Sequence, residues 1–158
     1  MEVYAAGAVG VERRVLEYPI LAASGHAGPK LHEGDMQVPE GVYAVESLNP
    51  NSMYHVALRV GYPSEEDRAR AAEDGRTRLG GDIMILGGAA SVGCLAMGDS
   101  AAEELFVLAA DVGVERVEVV LCPADLRVAA NAIVTEPMPA WVRERYEGLR
   151  RRLEKLGK

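Results

Sequence analysis

The chain has 158 residues, of which 49% are hydrophobic and 26% charged, as is typical of a globular protein with a buried core. Its length predicts one domain spanning residues 1–158, and its two cysteines are too few for a disulfide scaffold or a cysteine-rich zinc site. The formal net charge of −7 disfavours nucleic-acid binding, because phosphate contacts require clustered positive charge.

The charge is unevenly distributed along the chain. Residues 140–158 contain seven Arg or Lys and three Glu, a net charge of +4, so the remaining 139 residues carry −11. We interpret the basic end as a solvated helix face rather than a binding patch. The first 16 residues lack a basic start followed by an apolar run, so we expect no signal peptide. No apolar run approaches the length of about 18 residues that a membrane span requires.

Short strands and loops are predicted through much of the chain. Residues 25–34 are rich in Gly and Pro and predict a loop, and residues 41–45 form a short apolar run. Apolar and polar residues alternate over Tyr54 to Val60, which predicts a strand. Further apolar runs, residues 82–86 and 117–122, predict two buried strands.

Three helices are predicted from capping patterns and periodicity. Ser64 and Asp67 have the spacing of a capping box and predict a helix over residues 65–74, ended by Gly75. Ser100 and Glu103 have the same spacing and predict a helix through about residue 111, closed by Gly113. An apolar stripe over residues 140–156, spaced by three and four, predicts a C-terminal helix docked on the domain. Together these elements predict a strand-rich α+β fold with inserted helices.

Residues 82–99 contain the most informative feature, a cysteine that follows a glycine-rich turn. The segment reads DIMILGGAASVGCLAMGD, and Cys94 is its thirteenth residue. A cysteine nucleophile requires thiolate character, a proton carrier and hydrogen-bond donors for an oxyanion. Gly93 permits a tight turn, so the backbone N–H groups of Gly93 and Cys94 could face a developing oxyanion. The alternative is that Cys94 is simply a small buried hydrophobic residue.

This segment resembles the active-site segment of the L,D-transpeptidase (YkuD-type) catalytic domain, in the YafK-like branch whose cysteine is followed by Leu-Ala-Met. Other short motifs of that branch occur in the same order and spacing, and the resemblance covers roughly residues 18–125. These motifs are Gly28-Pro29-Lys30, Glu33-Gly34-Asp35, Pro39-Glu40-Gly41-Val42-Tyr43, Asn49-Pro50-Asn51-Ser52, and Tyr54-His55 leading to Tyr62-Pro63.

The resemblance implies a β-sandwich or barrel that transfers acyl groups through a cysteine. The implied reaction joins peptidoglycan stem peptides in the cell wall, or attaches a protein to them. Cys94 occupies the nucleophile position, with Ser91 and Gly93 as flanking motif positions and Gly87 and Gly88 as substrate-binding positions. The resemblance implies the cell envelope or periplasm; since we expect no signal peptide, either a leader has been removed from this chain or this member of the family serves elsewhere. The oligomeric state and the pairing of Cys94 with Cys122 stay open.

The chain departs from the family where the catalytic base is expected. The family pattern is Ile-His-Gly, whereas this chain has Leu86 in the histidine position. Leucine cannot carry a proton, and general acid–base catalysis typically contributes about 10²–10⁴-fold. His55 is a possible substitute base, while His26 and His32 lie in the predicted loop. A second departure, Val38 in place of threonine, is more easily structural.

Three hypotheses for function follow from these observations. The first is a cysteine acyltransferase weakened by the loss of its base. The second is a catalytically inactive pseudo-enzyme that binds peptide or glycan. The third is an interaction domain that uses the C-terminal helix. We expect no cofactor and no metal, because the glycine pairs lack a phosphate-loop ending and no two histidines have ligand spacing. Three carboxylates could suggest acid–base catalysis on a sugar, but turn formation explains them equally well; they are Glu33, Asp35 and Glu40.

Overall fold

The computed structural model of the chain describes residues 1–7, 10–128 and 138–156. In these ranges strands and helices alternate irregularly, and the predicted strand-rich α+β class is confirmed. The strands are β1 (Glu2–Ala6), β2 (Glu12–Glu17), β3 (Ala22–Ala23), β4 (Gly41–Ser52), β5 (His55–Val60), β6 (Met84–Leu86), β7 (Leu95–Ala96) and β8 (Glu118–Leu121). The helices are α1 (Glu65–Glu73), α2 (Asp99–Val112) and α3 (Trp141–Lys155), with a 3₁₀ turn at Val114–Arg116.

Six of the strands form one curled sheet in the order β3-β7-β6-β5-β4-β8. The pairing of β6 with β7 is parallel and the other pairings are antiparallel. Strand β4 pairs with β8 along its first residues and with β5 along the rest, and two irregularities interrupt its register with β5. The predicted apolar run at 41–45 is therefore the start of a longer strand, which continues through Pro50.

Side-chain alternation along β6 and β7 separates two apolar clusters. Ile85 and Leu95 are register partners and belong to the main core. Leu86 and Ala96 are the next pair, and with Ala57 they form a smaller cluster. Because successive side chains of a strand point to opposite faces, the two clusters lie on opposite faces of the sheet.

Helix α1 confirms the first predicted capping box. The Ser64 hydroxyl accepts the backbone N–H of Asp67 at 3.2 Å, and the Asp67 carboxylate accepts the backbone N–H of Ser64 at 2.9 Å. The helix ends at Glu73, one residue before the predicted end, and Gly75 follows in the left-handed region at φ +69°.

The second predicted capping box is wrong. Helix α2 begins at Asp99, its N-cap is Gly98, and no side chain caps it, so Ser100 lies inside the first turn. The carboxylate of Asp99 instead accepts the N–H of Gly88 at 2.9 Å, which ties the helix start to the cysteine segment. The prediction that Gly113 closes the helix is correct.

The C-terminal helix α3 packs against the body through a second core cluster. Trp141, Val142, Tyr146 and Leu149 form this cluster with Leu126. The helix occupies residues 141–155 of the predicted 140–156. None of the described helices is long and apolar enough to cross a membrane.

The first residues form a hairpin that the sequence analysis did not predict. Strands β1 and β2 pair only with each other in the described chain, and Met1 and Val3 pack on the main core. Arg152 of α3 binds the Glu12 carboxylate with two hydrogen bonds of 2.7 and 2.8 Å. The hairpin is therefore linked to the C-terminal helix.

Candidate active site

Cys94 lies immediately before β7, at the end of the glycine-rich turn that follows β6. Gly93 has φ +83°, a left-handed conformation that a residue with a side chain adopts only with strain. A glycine is thus required next to the cysteine, as the sequence analysis proposed. The turn exposes Val92, whose side chain is 75% accessible, beside the half-buried thiol.

The structure brings Cys94 and Leu86 to the same face of the sheet. Cys94 packs against the cluster formed by Ala57, Leu86 and Ala96. We call these four residues the thiol cluster. Leu86 is only 3% exposed and fills this space with an apolar side chain. The position where the family resemblance expects the base is therefore occupied by a residue that can neither accept nor return a proton.

The surroundings of the Cys94 thiol disfavour the thiolate. Its sulfur lies 3.7 Å from the Asp82 carbonyl oxygen, which can accept the S–H. Burial raises the pKa of Cys94 above its ordinary value, the Asp82 charge raises it further, and the N–H of Met84 opposes the shift. The Asp82 carboxylate is itself bound by Arg59 at 2.6 Å. These surroundings thus favour the neutral thiol over the thiolate, which is the nucleophilic form.

Two serine hydroxyls occupy the backbone N–H groups beside the thiol. The N–H of Cys94 donates to Ser91 Oγ at 3.2 Å, and the Ser91 hydroxyl donates to the Cys94 carbonyl at 2.5 Å. The N–H of Gly93 donates to Ser24 Oγ at 2.5 Å. The predicted oxyanion donors are therefore both engaged within the protein. Ser24, on the loop after β3, was missed by the sequence analysis because it lies 69 residues from Gly93.

Gly87 and Gly88 are packed against the turn between β4 and β5 and against α2. A Cβ on Gly87 would lie 2.6 Å from Asp99 Oδ1 and 2.7 Å from the Tyr54 carbonyl oxygen. Gly88 has φ +69° and donates its N–H to Asp99. These contacts give both glycines a structural role, and a substrate-binding role stays a prediction.

His55, the possible substitute base, is directed to α2. Its Nε2 lies 2.5 Å from Glu103 Oε1, and its ring is exposed. The described contact of its ring is thus with Glu103, and a role as base for Cys94 stays a prediction.

The other two histidines have local contacts. His26 Nδ1 lies 3.0 Å from the Ala27 carbonyl oxygen and His32 Nδ1 lies 3.1 Å from that of Glu33. Both are exposed. In the described ranges, no group of three or more His, Cys, Asp or Glu side chains is arranged to hold a metal ion.

The loop over residues 24–40 is held by polar side chains that bind its own backbone. The Asp35 carboxylate accepts the N–H groups of Leu31, His32 and Gln37 and pairs with the buried Lys30 at 2.6 Å. Glu40 accepts the N–H of Gly28 at 2.8 Å. The acidic residues predicted to serve turn formation do so at Asp35 and Glu40. This loop presents Ser24 to the cysteine turn.

The second cysteine lies in a different part of the molecule. Cys122 packs against the cluster of Trp141 and Tyr146, and burial followed by the charge of Glu40 raises its pKa to about 12. Both cysteines are free thiols in this structure.

The fold resembles a solved structure described as that of Bdellovibrio bacteriovorus Bd1075. The superposition covers 97% of this chain and 51% of that chain, with a TM-score of 0.52 and 19% sequence identity. At this identity the similarity shows a shared fold.

The sequence is similar to curated proteins named "Putative L,D-transpeptidase YafK" in Escherichia coli strain K12 and in Escherichia coli O157:H7. With each of them the identity is 38% over 101 residues, which is 62% of this chain and 39% of the relative. The chain thus matches well under half the length of these relatives. No protein-family model matches it. The similarity supports a relationship with the L,D-transpeptidase family.

Proposed function

We propose that the chain is an L,D-transpeptidase-like domain in which Cys94 accepts acyl groups from peptidoglycan stem peptides, slowly because the base is lost at Leu86. The observation that carries the proposal is that Leu86 and Cys94 both belong to the thiol cluster. The family resemblance expects a base at this position, and residue 86 belongs to the apolar cluster that Cys94 contacts. The named relatives support the proposal at the level of the family.

The proposed reaction has two steps. In the first, the Cys94 sulfur attacks the carbonyl carbon of a donor peptide bond, the carbon–sulfur bond forms, and the carbon–nitrogen bond breaks. The thiol proton leaves with the departing amine. In the second step an acceptor amine attacks the thioester carbon, a new carbon–nitrogen bond forms, the carbon–sulfur bond breaks, and a proton of the amine returns to the sulfur. Each step moves a proton, so a leucine at position 86 slows both.

The same surroundings support a second candidate, a binding protein without turnover. Burial raises the pKa of the Cys94 thiol, the described polar contacts of its sulfur are with main-chain groups, and both adjacent N–H groups are engaged. Such a domain would bind stem peptides or glycan without transferring the acyl group. The two candidates differ in whether a thioester forms at Cys94.

Restoring a base at residue 86 tests the proposal. We expect Leu86→His to accelerate acylation of Cys94 by a carbapenem, whose strained amide provides a stable acyl product, by at least about tenfold. The imidazole would enter the thiol cluster beside the sulfur and could take its proton. The measurement is the rate of the mass increase on the intact protein, with the site located by peptide mapping.

Leu86→Asn is the matched control, since it introduces a polar side chain without a titratable proton. Acceleration with His but not Asn supports the proposal. Equal rates in wild type and Leu86→His would contradict it, because residue 86 would then not communicate with the thiol. Thermal unfolding of both variants must show that they fold, since each places a polar group at a buried position.

A further inference from the structure

The Ser24 hydroxyl occupies the Gly93 N–H, a hydrogen-bond donor that the carbonyl oxygen of an acyl group would need. Its oxygen accepts the Gly93 N–H at 2.5 Å, while its hydrogen is donated to the Met36 carbonyl oxygen at 2.7 Å. The Gly93 N–H and the Ser24 hydroxyl thus both have hydrogen-bond partners in the absence of substrate. A carbonyl oxygen that approached the Gly93 N–H would meet the Ser24 hydroxyl first.

Ser24 and Ser91 make similar bonds but differ in how they can be released. Ser91 binds both the N–H and the carbonyl of Cys94, three residues away, so its hydroxyl forms part of the turn. Ser24 reaches the turn from another loop. The two loops also meet directly, because Ser91 Oγ lies 3.4 Å from Ser24 Oγ and accepts the Ser24 N–H at 3.2 Å. A rotation of the Ser24 side chain would free Gly93 and keep the bonds between Ser91 and Cys94. Met36 is 58% exposed, so water can replace the lost bond to its carbonyl.

We propose that Ser24 gates the oxyanion pocket of Cys94, keeping the Gly93 N–H occupied until an acyl carbonyl displaces its hydroxyl. This inference rests on the proposed acyl-transfer site. When sulfur adds to a carbonyl carbon, the π electrons move to oxygen, and the negative oxygen requires hydrogen-bond donors. A donor that is already engaged must first be released, and this release adds to the barrier for acylation.

The gate predicts different effects on two reactions of the same thiol. Acylation by p-nitrophenyl acetate passes through an oxyanion, forms a carbon–sulfur bond and releases p-nitrophenolate. Alkylation by iodoacetamide forms a carbon–sulfur bond and releases iodide without an oxyanion. Both rates depend on the thiolate fraction and on access to the sulfur, so their ratio isolates the oxyanion step. Peptide mapping assigns each product to Cys94 or Cys122.

We expect Ser24→Ala to raise the ratio of acylation to alkylation about three- to tenfold, the range expected for one neutral hydrogen bond. Ser24→Thr keeps the hydroxyl and should retain the wild-type ratio. Ser47→Ala removes an exposed hydroxyl from β4 and should also leave the ratio unchanged.

An unchanged or lower ratio in Ser24→Ala would overturn the gate, because the hydroxyl would then be neutral or helpful to acylation. An equal increase in both rates would also overturn it and assign the effect to thiol exposure. The activated ester acylates thiols without a stem peptide, so the result does not depend on the proposed substrate. Failure of the proposed function would appear separately, as an absence of thioester with peptide donors.

Discussion

Arg145 and Cys94 both lie against buried clusters, but their polar atoms have very different partners. Arg145 donates to Asp67 at 2.8 Å and to the Glu40 carbonyl at 3.0 Å, and its guanidinium lies 4.7 Å from the Trp141 ring centre. Glu40 in turn accepts the Tyr146 hydroxyl at 2.7 Å. We call these five residues the α3 anchor. Its buried charges are paired with other charges or hydrogen-bonded, whereas Cys94 has no ionisable partner for its proton among its described contacts.

The comparison shows that a buried ion pair holds the helix, whereas no ion pair is among the described contacts of the thiol. A buried charge that loses its partner is costly, so the α3 anchor should be sensitive to substitution. An apolar surrounding for a thiol costs little in stability but leaves the group protonated. Mutation of the α3 anchor should therefore change the stability of the protein, whereas mutation around Cys94 should change the reactivity of the thiol.

The largest expected effect is the loss of stability in Arg145→Ala. The substitution leaves Asp67 buried without its cation, and breaking a buried pair costs about 3–5 kcal/mol. Chemical denaturation should show this decrease in the free energy of unfolding. Arg150→Ala, on the same helix and paired at 3.9 Å with the exposed Glu154, is the control and should change stability by less than about 0.5 kcal/mol. Similar losses in both variants would remove the distinction we draw for the α3 anchor.

A smaller loss is expected at Gly87, beside the thiol cluster. A Cβ there would collide with Asp99 Oδ1 and the Tyr54 carbonyl, so Gly87→Ala should cost about 1–3 kcal/mol. Gly148 of α3 has no neighbour within 4 Å of a Cβ, so Gly148→Ala should stabilise the helix by up to about 1 kcal/mol. Thermal unfolding measures both changes. If Gly87→Ala were neutral, the close contact of the glycine turn with α2 would not exist in solution.

The smallest expected effect is the contribution of Glu40 to the pH dependence of the free energy of unfolding. Burial raises the pKa of Glu40, although the Tyr146 hydroxyl and the Gly28 N–H lower it in part. A carboxyl whose pKa is raised by folding contributes stability at low pH and loses it as the pH rises through the raised pKa. Glu40→Gln does not titrate, so its stability relative to wild type should rise between about pH 4 and about pH 7. Chemical denaturation of both proteins at the two pH values measures this change. The same difference in stability between Glu40→Gln and wild type at both pH values would contradict the prediction.

The sequence predicted those parts of the fold that depend on local patterns. The α1 capping box depends on two residues three apart, and the apolar stripe of α3 on one helix face, so both could be read directly. Ser100 had the same pattern as Ser64 but failed as a cap, because α2 begins at Asp99, two residues before the start that a Ser100 cap would give, and Asp99 binds Gly88. That contact joins distant parts of the chain and leaves no local signal.

The candidate site was predictable in the same partial way. Cys94, Gly93 and Leu86 stand out through the glycine-rich segment and its family resemblance, and Cys94 packs against the apolar cluster that contains Leu86. Ser24 carries no such signal, because a serine in a loop has many uses and its partner is remote in sequence. The engagement of the Gly93 N–H could only be found from the folded structure.

The most direct test of the account is the pH profile of Cys94 alkylation, since the central claim is that this thiol has no base. The rate of modification by iodoacetamide is followed at Cys94 by peptide mapping, with Cys94→Ala as the blank. We predict an apparent pKa at or above the ordinary thiol value of about 8.5, because burial and the Asp82 charge raise the pKa of Cys94. An apparent pKa several units lower would contradict the account and show that a cationic partner activates the thiol.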